Sequence, residues 1–172
     1  MNTPALATIP RMIFDGSVHY VEGRMAIASK GSVLFRSDDS GENWSPFARL
    51  PGFWPLRATR LLRRLLRSSV HHVVRIGDSL VIQAGRDFHR LPLSTRILEP
   101  FCSRVCGSRP LKVCTIPGRG LYYGEYRGNP ERSPVRIWHS ADEGNTWNVV
   151  WEFRDVRHIH GVHYDRFTES IW

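Results

Sequence analysis

One short pattern occurs twice in the chain and constrains its fold more than any other feature. The pattern reads S-x-D-x-G-x-x-W, and its copies begin at Ser37 and Ser140. The matched positions are Ser37, Asp39, Gly41 and Trp44 in the first copy, and Ser140, Asp142, Gly144 and Trp147 in the second. Each copy lies between two apolar runs with the length of a β-strand. The repeat therefore predicts two β-hairpins that share one kind of turn.

The chemistry of the motif explains its spacing. A short carboxylate can accept hydrogen bonds from backbone N–H groups of its own turn, and a glycine two positions later can adopt a positive φ at low cost. The serine hydroxyl can bond within the same loop, and the tryptophan can pack the second strand onto the sheet. We therefore interpret Asp39 and Asp142 as structural residues and not as catalytic acids.

The motif resembles the Asp-box of BNR-repeat β-propellers, such as the bacterial sialidases. Thr146 stands where that family usually has threonine, whereas Asn43 departs from the pattern. The resemblance implies an all-β chain built from four-stranded antiparallel blades. It also implies that the Asp-boxes lie at the periphery of the blades, away from any ligand site.

The spacing of the two copies predicts how many blades the chain contains. They are separated by about 100 residues, which is twice the period of about 50 residues of a four-stranded blade, so a blade without the motif is expected between them. We predict blades over 11–55, 70–105 and 110–155, and the start of another over 158–172 with its first strand at 159–164. Such an array cannot close into a ring alone. It is interpreted as a fragment of a longer propeller or, alternatively, as a unit that assembles from several copies.

The segment 56–68 interrupts the β pattern. Leucine pairs alternate with arginines there at helical spacing, which predicts one short basic amphipathic helix. Such a helix could lie on an anionic membrane or a partner, or dock its leucines on the blades. The short apolar face favours docking.

Composition limits the classes of function. The net charge is +8, but the basic residues are spread along the chain without a nucleic-acid-binding motif, so nucleic acid is not favoured as a partner. No apolar run is long enough to span a bilayer, and the N-terminus does not resemble a signal peptide. These features predict a cytoplasmic protein without a transmembrane segment.

The cysteines do not form a recognisable site. Cys102, Cys106 and Cys114 lack the paired spacing of a zinc site, and we expect no metal and no cofactor. They are interpreted as free thiols, although a disulfide between Cys114 and either of the others is the alternative.

Polar residues near the first strands of the blades are candidates for a ligand site, because propellers bind ligands around their central channel. The candidates are Tyr123, Glu125, Arg127, His158, His160 and His163. On a strand, His158 and His160 would share a face. Histidines and Glu125 could transfer protons or hold a glycan, with the tyrosines stacking on it. The alternative is that the histidines are core residues bonded to the backbone.

The resemblance to sialidases does not extend to their catalytic residues. Thr8 precedes Ile9-Pro10, where the sialidase motif has arginine. A glycosidase also needs two carboxylates about 5 to 10 Å apart. The sequence offers one plausible member, Glu125, with Asp165 or Asp155 as much weaker candidates for the second. The sequence predicts a glycan-binding or glycoside-hydrolase-like propeller. The alternative is a non-enzymatic protein-interaction scaffold. In either case, the exposed edges of the blades could lead to self-association. Whether the chain is an enzyme stays open.

Overall fold

A computed structural model describes residues 14–51, 70–95, 97–99 and 103–172. Within these ranges every regular element is a β-strand. The strands are β1 (Ser17–Glu22), β2 (Met25–Lys30), β3 (Val33–Ser37), β4 (Ser45–Arg49), β5 (Val70–Ile76), β6 (Ser79–Ala84), β7 (Asp87–Pro92), β8 (Ser103–Arg104), β9 (Val113–Ile116), β10 (Gly120–Gly124), β11 (Val135–Ser140), β12 (Asn148–Phe153), β13 (Tyr164–Asp165) and β14 (Ser170–Ile171). The helix expected at 56–68 lies outside the described residues.

In the described part of the chain, the strands form three four-stranded antiparallel sheets and one two-stranded sheet. Each larger sheet follows chain order, with β1 to β4, β5 to β8 and β9 to β12 hydrogen-bonded in sequence. Strands β13 and β14 pair with each other. This up-and-down order is the topology of a propeller blade, and the expectation of an all-β array of such blades is confirmed.

The sheets are arranged so that their first strands are neighbours. Strand β1 contacts β5, β5 contacts β9, and β9 contacts β13. The first strand of each sheet therefore lies in the position of the innermost strand of a propeller blade. We call β1, β5, β9 and β13 the inner strands.

The core lies between the faces of successive sheets. All residues of β6 are buried, and alternate side chains point to opposite faces. Leu80 and Ile82 pack in a cluster with Ile27 of the first sheet, whereas Val81 packs in a cluster with Leu121 of the third. Full burial of an aliphatic side chain of this size contributes about 1.5–3 kcal/mol. The second sheet is thus stabilised from both sides.

The first strand expected at 159–164 is shorter in the structure, where regular pairing begins only at Tyr164. The backbone before it bonds elsewhere, because the N–H of Ile159 donates to the carbonyl of Glu125 and His163 pairs with Trp172. Val162 is buried in the cluster beside the third sheet. The segment is therefore held by packing and by isolated hydrogen bonds, and the prediction of a continuous strand was wrong.

Candidate functional site

The second S-x-D-x-G-x-x-W turn is closed by its own polar groups. The Ser140 hydroxyl accepts a hydrogen bond from the N–H of Gly144 and donates one to Asp142, each at 2.8 Å. The carboxylate of Asp142 also accepts from the N–H and the hydroxyl of Thr146, each at 2.8 Å. Gly144 has a φ of 92°, a conformation that favours glycine.

The first turn has the same arrangement despite its departure from threonine. Gly41 donates to Ser37 at 2.8 Å, and the N–H of Asn43 donates to Asp39 at 2.9 Å. The side-chain amide of Asn43 donates to the other oxygen of Asp39 at 2.7 Å. The amide of Asn43 therefore makes the bond that the hydroxyl of Thr146 makes in the second turn.

These hydrogen bonds stabilise the ionised aspartates. The backbone N–H and the side chain of Asn43, with the hydroxyl of Ser37, lower the pKa of Asp39 to about 2. Burial acts to raise the pKa of Asp142, but bonds from Thr146 and Ser140 outweigh it and the pKa is lowered. Both carboxylates are hydrogen-bond acceptors of their turns, a state unsuited to donating a proton.

The second turn also joins two sheets. The hydroxyl of Ser103, on β8, donates to the carbonyl of Gly144 and accepts a bond of 2.9 Å from the indole N–H of Trp147. The Trp147 ring stacks on Phe88 of the second sheet with the centroids 4.8 Å apart. The tryptophan therefore packs against the neighbouring sheet as well as its own hairpin.

Two of the predicted ligand residues are buried and bonded within the protein. Tyr123 has an exposed fraction of 0 %, and its hydroxyl donates to the carbonyl of Cys106 at 3.0 Å and accepts from the N–H of that residue at 2.9 Å. Burial raises the pKa of this tyrosine. Glu125 is 2 % exposed and accepts bonds of 3.2 Å from the N–H of Arg136 and from the indole of Trp138.

Two of the predicted histidines lie together on the surface. Nε2 of His158 is 3.0 Å from Nε2 of His160, and the ring of Tyr126 lies edge-on to that of His158 at 4.6 Å. His158 and His160 are in contact although the backbone there does not form the strand that was expected.

The other predicted residues lie apart from this pair. His163 is bonded to Lys112 at 3.2 Å, and Arg127 donates to the carbonyl of Pro134 at 3.1 Å. Within the described ranges, histidine, cysteine and acidic side chains form no group of three that could hold a metal ion.

An open cleft of about 960 Å³ lies where the inner strands end. In it, Arg75 at the end of β5 forms an ion pair of 2.6 Å with Glu22 at the end of β1. Tyr122 stacks on His139 with the ring centroids 4.4 Å apart. Glu143, from the second turn, also lines this cleft. None of the six ligand residues predicted from the sequence lines it.

The ion pair influences the ionisation of its neighbours. The hydrogen bond from Arg75 lowers the pKa of Glu22, and burial together with the bond to Glu22 raises the pKa of Tyr20. The cleft therefore combines an ion pair and a neutral phenol with a stacked aromatic pair.

A basic cluster lies where the inner strands begin. It consists of His19, His71, His72, Arg109, Lys112 and His163. Burial and then the neighbouring His71 lower the pKa of His72 to about 4, with smaller contributions from Arg109 and Lys112. Burial followed by His72 and His71 lowers the pKa of His19 to about 4.

Apart from His163, the sequence did not indicate this basic cluster as a site. His71 and His72 read as part of a strand, and nothing local relates them to Lys112. The available signal was the recurrence of histidine in β1 and β5, two strands that both begin a blade.

The outer edge of the third sheet is apolar and exposed. Every residue of β12 is exposed. Trp151 and Phe153, which alternation places on one face, have exposed fractions of 57 % and 40 %. Val149 and Val150 are exposed at 44 % and 41 %. We refer to Asn148–Phe153 as the β12 edge.

The cysteines that the structure describes are free thiols. Cys106 and Cys114 form no disulfide, and burial raises the pKa of each. Cys102 lies outside the described residues. No helix in the described part of the chain is long and apolar enough to cross a membrane.

No family model and no curated protein matches the chain. Two solved structures of β-propeller proteins resemble it. The N-terminal domain of Nup159 matches with a TM-score of 0.43 and 10% identity, over 80% of this chain and 31% of that one. YCF48 from Cyanidioschyzon merolae matches with a TM-score of 0.42 and 15% identity, over 87% and 48%. The chain spans less than half of each, and its resemblance to sialidases stays a prediction.

Proposed function

We propose that this chain is a non-enzymatic protein-interaction scaffold of propeller blades. The observation that carries the proposal is the β12 edge, where an outer strand presents Trp151 and Phe153 to solvent. Exposed apolar side chains favour association, and an edge strand has backbone N–H and C=O groups free to pair with another strand. The proposed partner surface is therefore a β-strand of another polypeptide.

The environment of the carboxylates supports a scaffold over a glycoside hydrolase. Asp39 and Asp142 are acceptors within their turns, and Glu125 accepts bonds from the third sheet. A hydrolase needs one carboxyl that can donate a proton and a second that acts on the sugar or a water. Each of these three carboxylates is engaged in hydrogen bonds that hold the fold together.

Sedimentation velocity over a range of concentrations tests the proposal, with a second copy of the chain as the probe strand. Trp151→Lys places a charge on the β12 edge and should shift the protein towards monomer, because lysine disfavours edge pairing. Phe167→Lys is the matched control, since Phe167 is 83 % exposed but lies in the turn between β13 and β14. A wild-type protein that stays monomeric, or a Trp151→Lys variant that associates as the wild type does, would contradict the proposal.

The cleft favours glycan binding as a second candidate function. Its stacked Tyr122 and His139 offer an aromatic face, and Arg75 and Glu22 offer hydrogen-bonding groups. In a glycan screen, Tyr122→Ala should remove binding while His160→Ala retains it. The reverse result would place the ligand at the histidines predicted from the sequence.

A further inference from the structure

We propose that the basic cluster at the start of the inner strands binds a small, multiply charged oxyanion of the phosphate or sulfate class. This site lies outside the interaction surface proposed above. It is also distinct from the cleft, which lies at the other end of the same strands.

Four parts of the chain bring the cluster together. His19 lies on β1, while His71 and His72 lie on β5. The other members, Arg109, Lys112 and His163, precede β9 and β13. Because the inner strands are neighbours, these positions converge although they are far apart in sequence.

Hydrogen bonds hold several of these side chains in place. The guanidinium of Arg109 is bonded to Nε2 of His71 at 2.9 Å, and Lys112 to Nδ1 of His163 at 3.2 Å. His19 is bonded to the hydroxyl of Ser29 at 2.8 Å. Lys112 and His163 are exposed, so the cluster is accessible from solvent.

The electrostatics of the cluster favour an anion. The charged neighbours with the largest influence on His72 are His71, Arg109 and Lys112, and each disfavours its protonation. An oxyanion would offset this repulsion and accept charge-assisted hydrogen bonds from the guanidinium, the ammonium and protonated imidazoles. Charge-assisted bonds of this type are about twice as strong as neutral ones.

Binding should therefore be coupled to proton uptake. An anion raises the pKa of the neighbouring His19 and His72, so affinity increases as the pH falls from neutral towards 5. The other titratable or charged groups of the cluster are His71, Arg109, Lys112 and His163.

Isothermal titration calorimetry on the purified chain tests the site with inorganic pyrophosphate and inorganic sulfate as probes. Pyrophosphate should bind the wild type, and Lys112→Met should weaken binding by about tenfold because one charge-assisted bond is lost. Arg104→Gln is the matched control, since Arg104 is a basic residue with an 82% exposed side chain on β8, and it should bind as the wild type does. Inorganic phosphate is compared with sulfate at pH 7.5, where the two have the same tetrahedral shape and similar charge, so stronger binding of phosphate would indicate a phosphate ligand and the reverse order a sulfate ligand.

Sulfate provides the pH measurement, because its charge is constant over this range. Its affinity should increase from pH 7.5 to 5.5 in the wild type and increase less in His72→Gln. Absence of binding by both probes, equal weakening in Lys112→Met and Arg104→Gln, or a wild-type affinity for sulfate that is independent of pH would overturn the proposal.

Discussion

At the scale of single residues, the most consequential side chains are the two aspartates of the repeated turn. Asp142 accepts hydrogen bonds from Thr146 and Ser140, and the same turn is bonded to Ser103 of the neighbouring sheet. Its carboxylate therefore supports a hairpin and the contact of that hairpin with the second sheet. Removing it leaves N–H and hydroxyl donors without their acceptor.

We expect Asp142→Ala to lower the free energy of unfolding by about 1–3 kcal/mol, the usual range for an unsatisfied polar group. Denaturant unfolding measures this change. The control is Asp38→Ala. Asp38 is exposed and bonds to Arg36, two positions away in the sequence, so its removal should lower the free energy of unfolding far less. Equal stability of Asp142→Ala and the wild type would contradict the structural role, as would loss of ligand binding in an equally stable variant.

The half-buried His19 and His72 give the stability a defined dependence on pH. His19 and His72 have a pKa of about 4 in the folded protein against 6.5 ordinarily, so the unfolded chain binds protons more readily between these values. Their contribution is complete above about pH 6.5 and is lost progressively as the pH falls towards 4.

Denaturation midpoints in a buffer without phosphate or sulfate should decrease across that window. The midpoint of the His72→Gln variant should decrease less, because one of the two histidines no longer titrates. A midpoint that is flat from pH 6.5 to 4 in the wild type would show that these histidines are not held neutral.

At the scale of elements, the interior carboxylate of Glu125 links the end of β10 to β11. It accepts bonds from Arg136 and Trp138, and its own carbonyl accepts the N–H of Ile159. Gly107, with a φ of 61°, lies against this carboxylate so closely that a Cβ atom there would overlap it. The residue therefore joins the third sheet to two surrounding loops.

Glu125→Gln should destabilise the protein by about 1–3 kcal/mol, because one of its two accepting oxygens becomes an amide donor facing another donor. Glu152→Gln is the control, since Glu152 is exposed on β12, where it forms an ion pair with Arg136 of β11. Thermal melting of the two variants distinguishes them. Similar melting temperatures would indicate that the bonds to Glu125 contribute little.

Individual strands and turns could be predicted from the sequence more accurately than the sites formed where different sheets come together. The repeated turn is local, so its hairpins and the strand alternation around them could be inferred from neighbouring residues. Alternation also separates Tyr122, which lines the cleft, from the buried Tyr123, but the sequence alone does not indicate which of the two faces solvent. The cleft and the basic cluster each combine residues from different sheets, and no local pattern encodes that convergence.

At the scale of the whole molecule, successive sheets pack face against face, whereas the outer strand β12 of the third sheet is exposed. The second sheet is covered on both sides, whereas β12 is exposed along its whole length. We therefore assign association with another polypeptide to this strand. The net charge of +8 adds no specificity at an apolar edge.

Amide hydrogen exchange measured at increasing protein concentration tests this assignment most directly. As the chain associates, exchange of the β12 amides should slow, because paired N–H groups are protected, while the turn at Phe167 should exchange at an unchanged rate. Association accompanied by unchanged exchange in β12, or by protection at Phe167 in its place, would contradict the account.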